Sequence, residues 1–369
     1  MFLKNVKLFQ FRNYESLELH FNSDLIVFVG KNAQGKTNIL ESIFLCCTGR
    51  SHRTPKDKEL IQWDKGSGYV RTEVAREDGM HQIEILFQRQ EKKMIKINGI
   101  QAQRLGELMG HLNGVMFSPE DLRLVKEGPI ERRRFMDMEL SQMKPQYFYS
   151  LQQYNRVLLQ RNNLLKEVAR KPSLRKTISV WNEQLVILGT RIIKERKGFI
   201  DRLSKIAKDI HAHISTDREE LEIIYHNPIQ GDHKETIQRN FMASLEKGLE
   251  GDLRRGNTST GPHRDDILLR INGIDVRSFG SQGQQRTTAL SLKLSELELM
   301  KKETGKYPVL LLDDVMSELD GERQRMLLDN IRGIQTLITC TDIESIHQIA
   351  DREKEVYEVK KGKVRKRHL

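Results

Sequence analysis

Residues 25–37 read Leu-Ile-Val-Phe-Val-Gly-Lys-Asn-Ala-Gln-Gly-Lys-Thr. The five apolar residues Leu25–Val29 predict a short buried strand, and Gly30 through Thr37 fit Gly-x-x-x-x-Gly-Lys-Ser/Thr at every fixed position. Apolar spacing through Ile39, Ile43 and Phe44 then predicts a helix over 37–47. Strand, glycine-bearing loop and helix together form the context in which this pattern holds a nucleotide. Gly30 and Gly35 let the backbone wrap closely round phosphates, with the N–H groups of Lys31, Asn32, Ala33 and Gln34 turned inward. The helix N-terminus adds partial positive charge. In such a loop Lys36 reaches the β- and γ-phosphates and the Thr37 hydroxyl ligates Mg²⁺.

Two further stretches complete the picture. Val309-Leu-Leu-Leu-Asp313-Asp314 is a buried strand ending in two acids, which places Asp313 beside the magnesium and Asp314 near the γ-phosphate, able to polarise a water. This pair follows the loop by about 275 residues, so a large insertion separates the halves of one site. Ser281-Gln-Gly-Gln-Gln285 opens a long amphipathic helix with serine at the N-cap position, a second anion-binding helix start. One site rarely needs two such ends, whereas two copies facing head to tail do.

Outward from these motifs, strands and helices alternate at both chain ends: Phe2–Phe11 and Ser16–Phe21, a β stretch over 69–98 with turns at Asp78-Gly79 and Asn98-Gly99, then strands at Ile267–Ile271, Val309–Leu312 and Thr336–Thr339 with helices between. An α/β fold with a mixed or parallel sheet follows. The middle of the chain is helical from about residue 100, with two long segments over 130–170 and 173–214 separated by Lys171-Pro172. Their apolar stripes (Tyr147, Leu151, Tyr154, Leu158, Leu165 and Trp181, Leu185, Leu188, Ile192, Phe199) predict a short antiparallel helical hairpin inside a mostly helical second domain. The boundaries expected are 1–110 and 261–369 for the two parts of one lobe, with 111–260 as the helical domain.

Composition excludes several classes. No apolar run reaches the 18 or so residues that span a bilayer, the N-terminus alternates rather than forming a secretory signal, and three cysteines build no disulfide framework. A cytoplasmic protein without membrane attachment is expected. The net charge is +11. Residues 144–208 alone hold fifteen Lys or Arg against four acids, so the whole surplus falls on the hairpin. One-signed helical surfaces bind phosphate backbones in a salt-sensitive, sequence-independent way. Arg161, Lys166, Arg191, Lys194, Arg196 and Lys197 are the candidate contacts. Without an evident aromatic platform, duplex, gapped or junction DNA fits better than single-strand stacking. The tail 360–367 adds six bases without an acid, suiting DNA contact or a flexible solubilising end equally. His263, within Gly-Pro-His-Arg-Asp-Asp at 261–266, is catalytic, DNA-facing or structural, and spacing does not choose.

The string LLLDDVMSELD, with SQGQQR about 30 residues upstream, resembles the second nucleotide motif, D-loop and signature motif of ABC-type ATPases. GKNAQGKTN resembles the loop of their DNA-repair branch, which includes SMC heads. Within it the chain is most similar to the RecF family, through Phe11–Tyr14, Gly49–Thr54, Phe117–Leu122, Glu127–Asp137 and Thr260–Asp266. The short hairpin sets it apart from SMC proteins and their long coiled coils.

The resemblance implies an ABC-type P-loop ATPase head that dimerises on ATP and closes round DNA. It implies action in recombinational gap repair, replication restart and SOS induction, loading recombinase with RecR and RecO type mediators. It assigns Ser281, Gly283 and Gln284 to the γ-phosphate of the partner's ATP, Asp320 to the dimer interface, Asn32 to the loop, and Arg53 and Arg12 to the nucleotide's vicinity. Three departures are evident: Asp314 where most ABC proteins have Glu, Thr341 and Asp342 in place of the switch histidine, and Phe117-Ser-Pro-Glu120 without a glutamine-loop counterpart. They imply a weak, DNA-stimulated ATPase whose hydrolysis resets a clamp. Two other readings stay open on the residues alone: a P-loop small-molecule kinase, and a passive DNA-binding protein with a vestigial ATP site.

Overall fold

The computed structural model describes residues 1–216, 218–341 and 353–367. Its contacts divide the chain into two units, Met1–Leu122 with Leu290–Leu369, and Arg123–Ala289. In the first unit the alternating N-terminus becomes β1 (Phe2–Phe11) and β2 (Tyr14–His20), and Leu25–Val29 forms β3 with every residue buried. Helix α1 covers Lys36–Thr48. The turn at Asp78-Gly79 joins β4 (Ser67–Arg76) to β5 (Gly79–Gln88). Asn98-Gly99, both at positive φ, joins β6 (Met94–Ile97) to β7 (Ile100–Gln101). These strands form an antiparallel sheet in the order β2-β1-β4-β5-β6-β7. The helical pattern expected from residue 100 begins later. Val115–Phe117 lies in the fully buried strand β8 (Gly114–Phe117), and α-helix starts only at Arg123.

In the second unit, the helix expected over 130–170 is two helices, Pro129–Met143 and Pro145–Val168. Pro145 lacks an N–H and its ring excludes the helical conformation at Lys144, which sits extended at φ −136°. Pro172–Thr177 forms a short 3₁₀ turn, and the helix Ile178–Ile214 returns alongside. Tyr147, Tyr154 and Leu165 on one helix and Leu185, Ile192 and Phe199 on the other are buried, as the stripes predict. Close approach matters at Gly189, where a Cβ would come within 2.5 Å of the Phe241 ring. A strand not foreseen, β9 (Leu221–His226), pairs with β10 (Asp266–Ile271), which pairs in turn with β11 (Ile274–Asp275). That pairing carries the segment from 261 to 289 into the second unit rather than into the lobe to which sequence assigned it. The other boundary likewise moves from 110 to 122 because β8 belongs to the first unit's sheet.

The chain returns to the first unit within the helix Gln282–Thr304 and adds β12 (Val309–Asp313), β13 (Thr336–Cys340), β14 (Glu355–Lys360) and β15 (Lys363–Arg367). The second sheet runs β15-β14-β3-β13-β12-β8, parallel throughout except for the edge pair β14–β15. The basic tail is therefore no flexible end. Its residues build the outer hairpin of this sheet. β13 lies between β3 and β12, with Thr339 opposite both Phe28 and Asp313, so the C-terminal ends of three strands distant in sequence meet at one edge.

Candidate nucleotide site and basic surface

At that edge the loop after β3 is held by its own geometry. Ala33 and Gly35 take positive φ, 63° and 116°. A Cβ at Gly35 would come within 2.5 Å of the Asn13 amide and 2.8 Å of the Tyr14 hydroxyl, so only glycine fits. Tyr14 donates its hydroxyl to the Gly35 carbonyl at 3.0 Å, and Asn13 Nδ2 donates to the Gln34 carbonyl at 3.0 Å. No acid lies within the first turn of α1 and no side chain caps it, so the helix carries no anion of its own at its positive end. Lys36, buried at its base, folds back so that Nζ donates to the carbonyls of Gly30 and, at 3.1 Å, Lys31. Burial lowers its ammonium pKa, while Asp314, Cys340 and Asp313 oppose that shift. Carbonyl oxygens bring no full negative charge to this ammonium, so an anion in the cleft is a stronger partner for it.

The acidic strand end faces it. Thr37 Oγ1 donates to Asp313 Oδ1 at 2.9 Å, and Thr339 Oγ1 donates to the same oxygen at 2.8 Å. The backbone N–H of Asp314 donates to Thr339 Oγ1 at 2.9 Å. Asp314 itself sits at φ 54°, left-handed for a residue with a side chain, which turns the chain abruptly at the end of β12. A hydroxyl and a carboxylate at hydrogen-bond distance, both on oxygen, are a donor set that suits a hard divalent cation completed by phosphate oxygens and water.

These groups line a cleft of about 650 Å³ together with His52, Arg53, Ser118 and Glu120. Asn32, Ala33, Gln34 and Gly35 line it, as the loop pattern expects, and so do Lys36, Thr37, Asp313 and Asp314. Arg53 reaches it and donates to Asn38 Oδ1 at 2.9 Å. Arg12 does not line it: Nε and Nη2 grip the buried Glu41 carboxylate at 2.8 and 2.6 Å, so it supports α1 instead. Thr339 and His52 were not anticipated. The only sequence signal for Thr339 is its place on the strand between the loop and the acids. Asp342 lies outside the described residues.

The serine start is built as a capping box: Gln284 N–H donates to Ser281 Oγ at 3.2 Å and Ser281 N–H to Gln284 Oε1 at 2.9 Å. Ser281 is exposed, Gly283 half-buried, and Gln284 Nε2 also donates to Glu219 at 2.9 Å. Asp320 caps the helix Gly321–Asn330, accepting from Arg323 N–H at 3.0 Å. None of these residues is part of the cleft lining within one chain. Cys46, Cys47 and Cys340 are buried thiols, and burial pushes Cys46 up to about 12.

Among the basic candidates the structure separates two kinds. Arg191, Lys194 and Lys166 are exposed, and Lys197 pairs at the surface with Asp232 at 2.7 Å. Arg161 and Arg196 are core residues, contrary to their expected place on the DNA face. Arg161 is fully buried and donates to Asn182, Asp252 and Thr258 at 2.8, 2.9 and 2.7 Å. Arg196 bridges Asp137 and Asp265 at 2.7 and 2.9 Å and donates to the Tyr147 hydroxyl. His263 joins the same interior, 2.7 Å from the Tyr154 hydroxyl and 3.0 Å from the Thr258 carbonyl, and Asp266 pairs with Arg132. The segment 261–266 is therefore structural: it ties the helices to β10.

A sheet whose parallel strands β3, β13, β12 and β8 are fully buried, a phosphate loop at its carboxyl edge and an acid pair ending the strand one removed from β3 define an ABC-type ATPase head. The family described as the RecF/RecN/SMC N terminal domain matches residues 2–365. The DNA replication and repair protein RecF of Alkaliphilus oremlandii is 47% identical over 367 residues, covering 99% of this chain and 100% of the relative. That of Clostridium tetani is 46% identical over 365 residues, 98% and 99% of the two chains. A structure of the recombination mediator protein RecF with ATP, in the RecFOR pathway, superposes with a TM-score of 0.93 at 39% identity, covering 100% of this chain and 98% of that one. The Smc head domain from Pyrococcus furiosus shares the fold at a TM-score of 0.57 and 16% identity, covering 100% and 96%. The chain belongs to the RecF family. No helix among the described residues is long and apolar enough to cross a membrane.

Proposed function

We propose that this chain binds ATP and Mg²⁺ in the cleft, dimerises head to tail on ATP, and acts as a DNA clamp in recombinational gap repair. The observation that carries this is the meeting of Lys36, Thr37, Asp313 and Thr339 at one sheet edge, in a chain 39% identical to a RecF seen with ATP. Thr37 and Asp313 would hold the magnesium, which would supply charge neutralisation on the phosphates. Lys36 leaves its two carbonyls for the β- and γ-phosphates, and the open N–H groups of α1 take the remaining charge. Asp314, turned out of β12 by its left-handed backbone, orients the attacking water as base. A shorter acid in that position suits slow hydrolysis that resets the clamp. Exposed Ser281 supports a role toward the ATP of a second copy, with Asp320 at the interface between copies. Arg191, Lys194 and Lys166 offer phosphate contacts, and RecO and RecR type mediators follow from the pathway named for the relative.

Sedimentation with ATP tests the clamp. Wild type is expected to dimerise, while Lys36→Met and Ser281→Ala remain monomeric; a Ser281→Ala protein that dimerises normally removes the head-to-tail geometry.

A further inference from the structure

Six of the eight residues from Lys360 to Arg367 are basic and none is acidic. Lys366 and Arg367 pair with Glu355 and Glu358 at 2.5 and 3.2 Å. Lys360, Lys361, Lys363 and Arg365 are exposed, with no ionic partner among the described residues. Charge alone decides little, since lysines on an edge strand also keep sheets from pairing edge to edge. The turn of the hairpin supplies a second observation. Its backbone holds Gln34 of the phosphate loop twice: Lys361 N–H donates to Gln34 Oε1 at 2.8 Å and Gly362 N–H to the Gln34 carbonyl at 3.2 Å. Gly362, at φ 71°, sits where a Cβ would meet the Asn13 carbonyl at 2.6 Å, and Asn13 grips the same Gln34 carbonyl. At the other end of the loop the Val359 carbonyl lies 2.3 Å from where a Cβ on Gly30 would stand. The hairpin is thus in backbone contact with both ends of the loop.

We propose that the β14–β15 hairpin is a nucleic-acid backbone contact coupled to the nucleotide site through Gln34. The inference rests on the nucleotide-binding reading of the cleft. Lys363, Arg365 and Arg367 alternate onto one face of β15 at a spacing of about 6.6 Å; Arg367 pairs there with Glu358, which stands opposite Arg365 in the register, and Lys363 and Arg365 are left for phosphates. The spacing is roughly two of the 3.4 Å steps between successive phosphates along a duplex axis. A duplex offers one negative charge per about 1.7 Å of its axis, a denser and more uniformly signed complement to exposed cations than the mixed charges of a folded protein surface. Phosphates seated on these cations fix the turn, the turn fixes Gln34, and Gln34 shapes the loop that receives ATP. By linkage, a nucleotide in the loop changes the affinity of the hairpin for DNA by the same factor.

The full chain is titrated with a blunt duplex across a salt series, and with a non-hydrolysable ATP analogue in the absence and presence of saturating duplex. Lys363→Ala/Arg365→Ala is expected to reduce the slope of log affinity against log salt by about 1.8, at about 0.9 per lost phosphate contact. In wild type the duplex is expected to change analogue affinity about fivefold, and both the double variant and Gln34→Ala to bring that ratio toward one, Gln34→Ala with its salt slope intact. A duplex-binding wild type whose double variant keeps both slope and ratio overturns the proposal. So does poly-glutamate binding that depends on Lys363 and Arg365 while duplex binding does not, which assigns the hairpin to an acidic protein. A wild type that fails to bind the analogue but shows the slope change refutes the nucleotide reading and leaves the DNA contact standing.

Discussion

Two clusters in this protein bring cations, carboxylates and hydroxyls together to opposite ends. Around the phosphate loop, Lys36, Thr37, Asp313 and Asp314 face an open cleft, and the cation rests on carbonyls rather than on a carboxylate. In the helical unit, Arg196, Asp137, Asp265, Tyr147 and Tyr225 face one another in the interior. The first cluster keeps binding capacity in reserve; the second consumes its own and supplies conformational definition. What separates a site from a strut is where the partners are, and residue identity alone does not reveal it.

The contrast can be broken most forcefully at Arg196. Arg196→Met leaves Asp265 and Asp137 without their partner and is expected to cost about 3–5 kcal/mol of stability, as is Arg161→Met at its pair with Asp252. Chemical denaturation checks this, and a loss below about 1 kcal/mol would make these arginines peripheral. At Lys36 the sign differs by property. Lys36→Met is expected to weaken ATP affinity about a hundredfold, close to 2.8 kcal/mol. Its stability should hold or rise, because a desolvated ammonium is removed.

A smaller effect concerns pH. Burial pulls the His263 imidazole down to about 4, so between pH 6.5 and 4 the folded chain binds fewer protons than the unfolded one and loses stability on acidification. Burial pushes Asp265 up to about 6, which contributes with the opposite sign over much of that window. In His263→Gln the His263 contribution is gone and that of Asp265 remains. The variant should gain on wild type by up to about 1.4 kcal/mol per pH unit as the solution is acidified from pH 6.5. Denaturation at pH 7 and pH 5 measures this, and a constant gap contradicts it. The smallest change in stability is expected for Arg191→Ala/Lys194→Ala, within about 0.5 kcal/mol. Its salt slope for duplex binding should nevertheless fall by about 1.8.

The nucleotide site was legible because its elements carry strong local signals. Leu25–Val29 and Val309–Asp313 are fully buried apolar strands, and the loop between β3 and α1 needs glycine at a positive φ that no other residue accepts easily. The helical unit was less so. Arg161 shares its helix with exposed Lys166, and Arg196 shares its helix with exposed Arg191 and Lys194, all of the same charge. Their positions, though, fall on the apolar stripes: Arg161 lies four residues before Leu165, and Arg196 four after Ile192 and three before Phe199. A charge at a stripe position points inward, and its partners, Asp252 and Asp265, lie too far along the chain for spacing to reveal. β9 and the β14–β15 hairpin were obscured for a related reason: neither Leu-Glu-Ile-Ile-Tyr-His nor Lys-Val-Arg-Lys-Arg keeps a clean period of two, and β9 and β14 join their sheets through β10 and β3, far along the chain.

The central claim is that occupancy of the cleft governs DNA binding. Duplex affinity of the full chain at fixed salt, with and without ATP, tests it most directly in wild type and Lys36→Met. The account predicts that ATP tightens binding by wild type and leaves Lys36→Met unchanged. Equal affinity of wild type with and without ATP would contradict it.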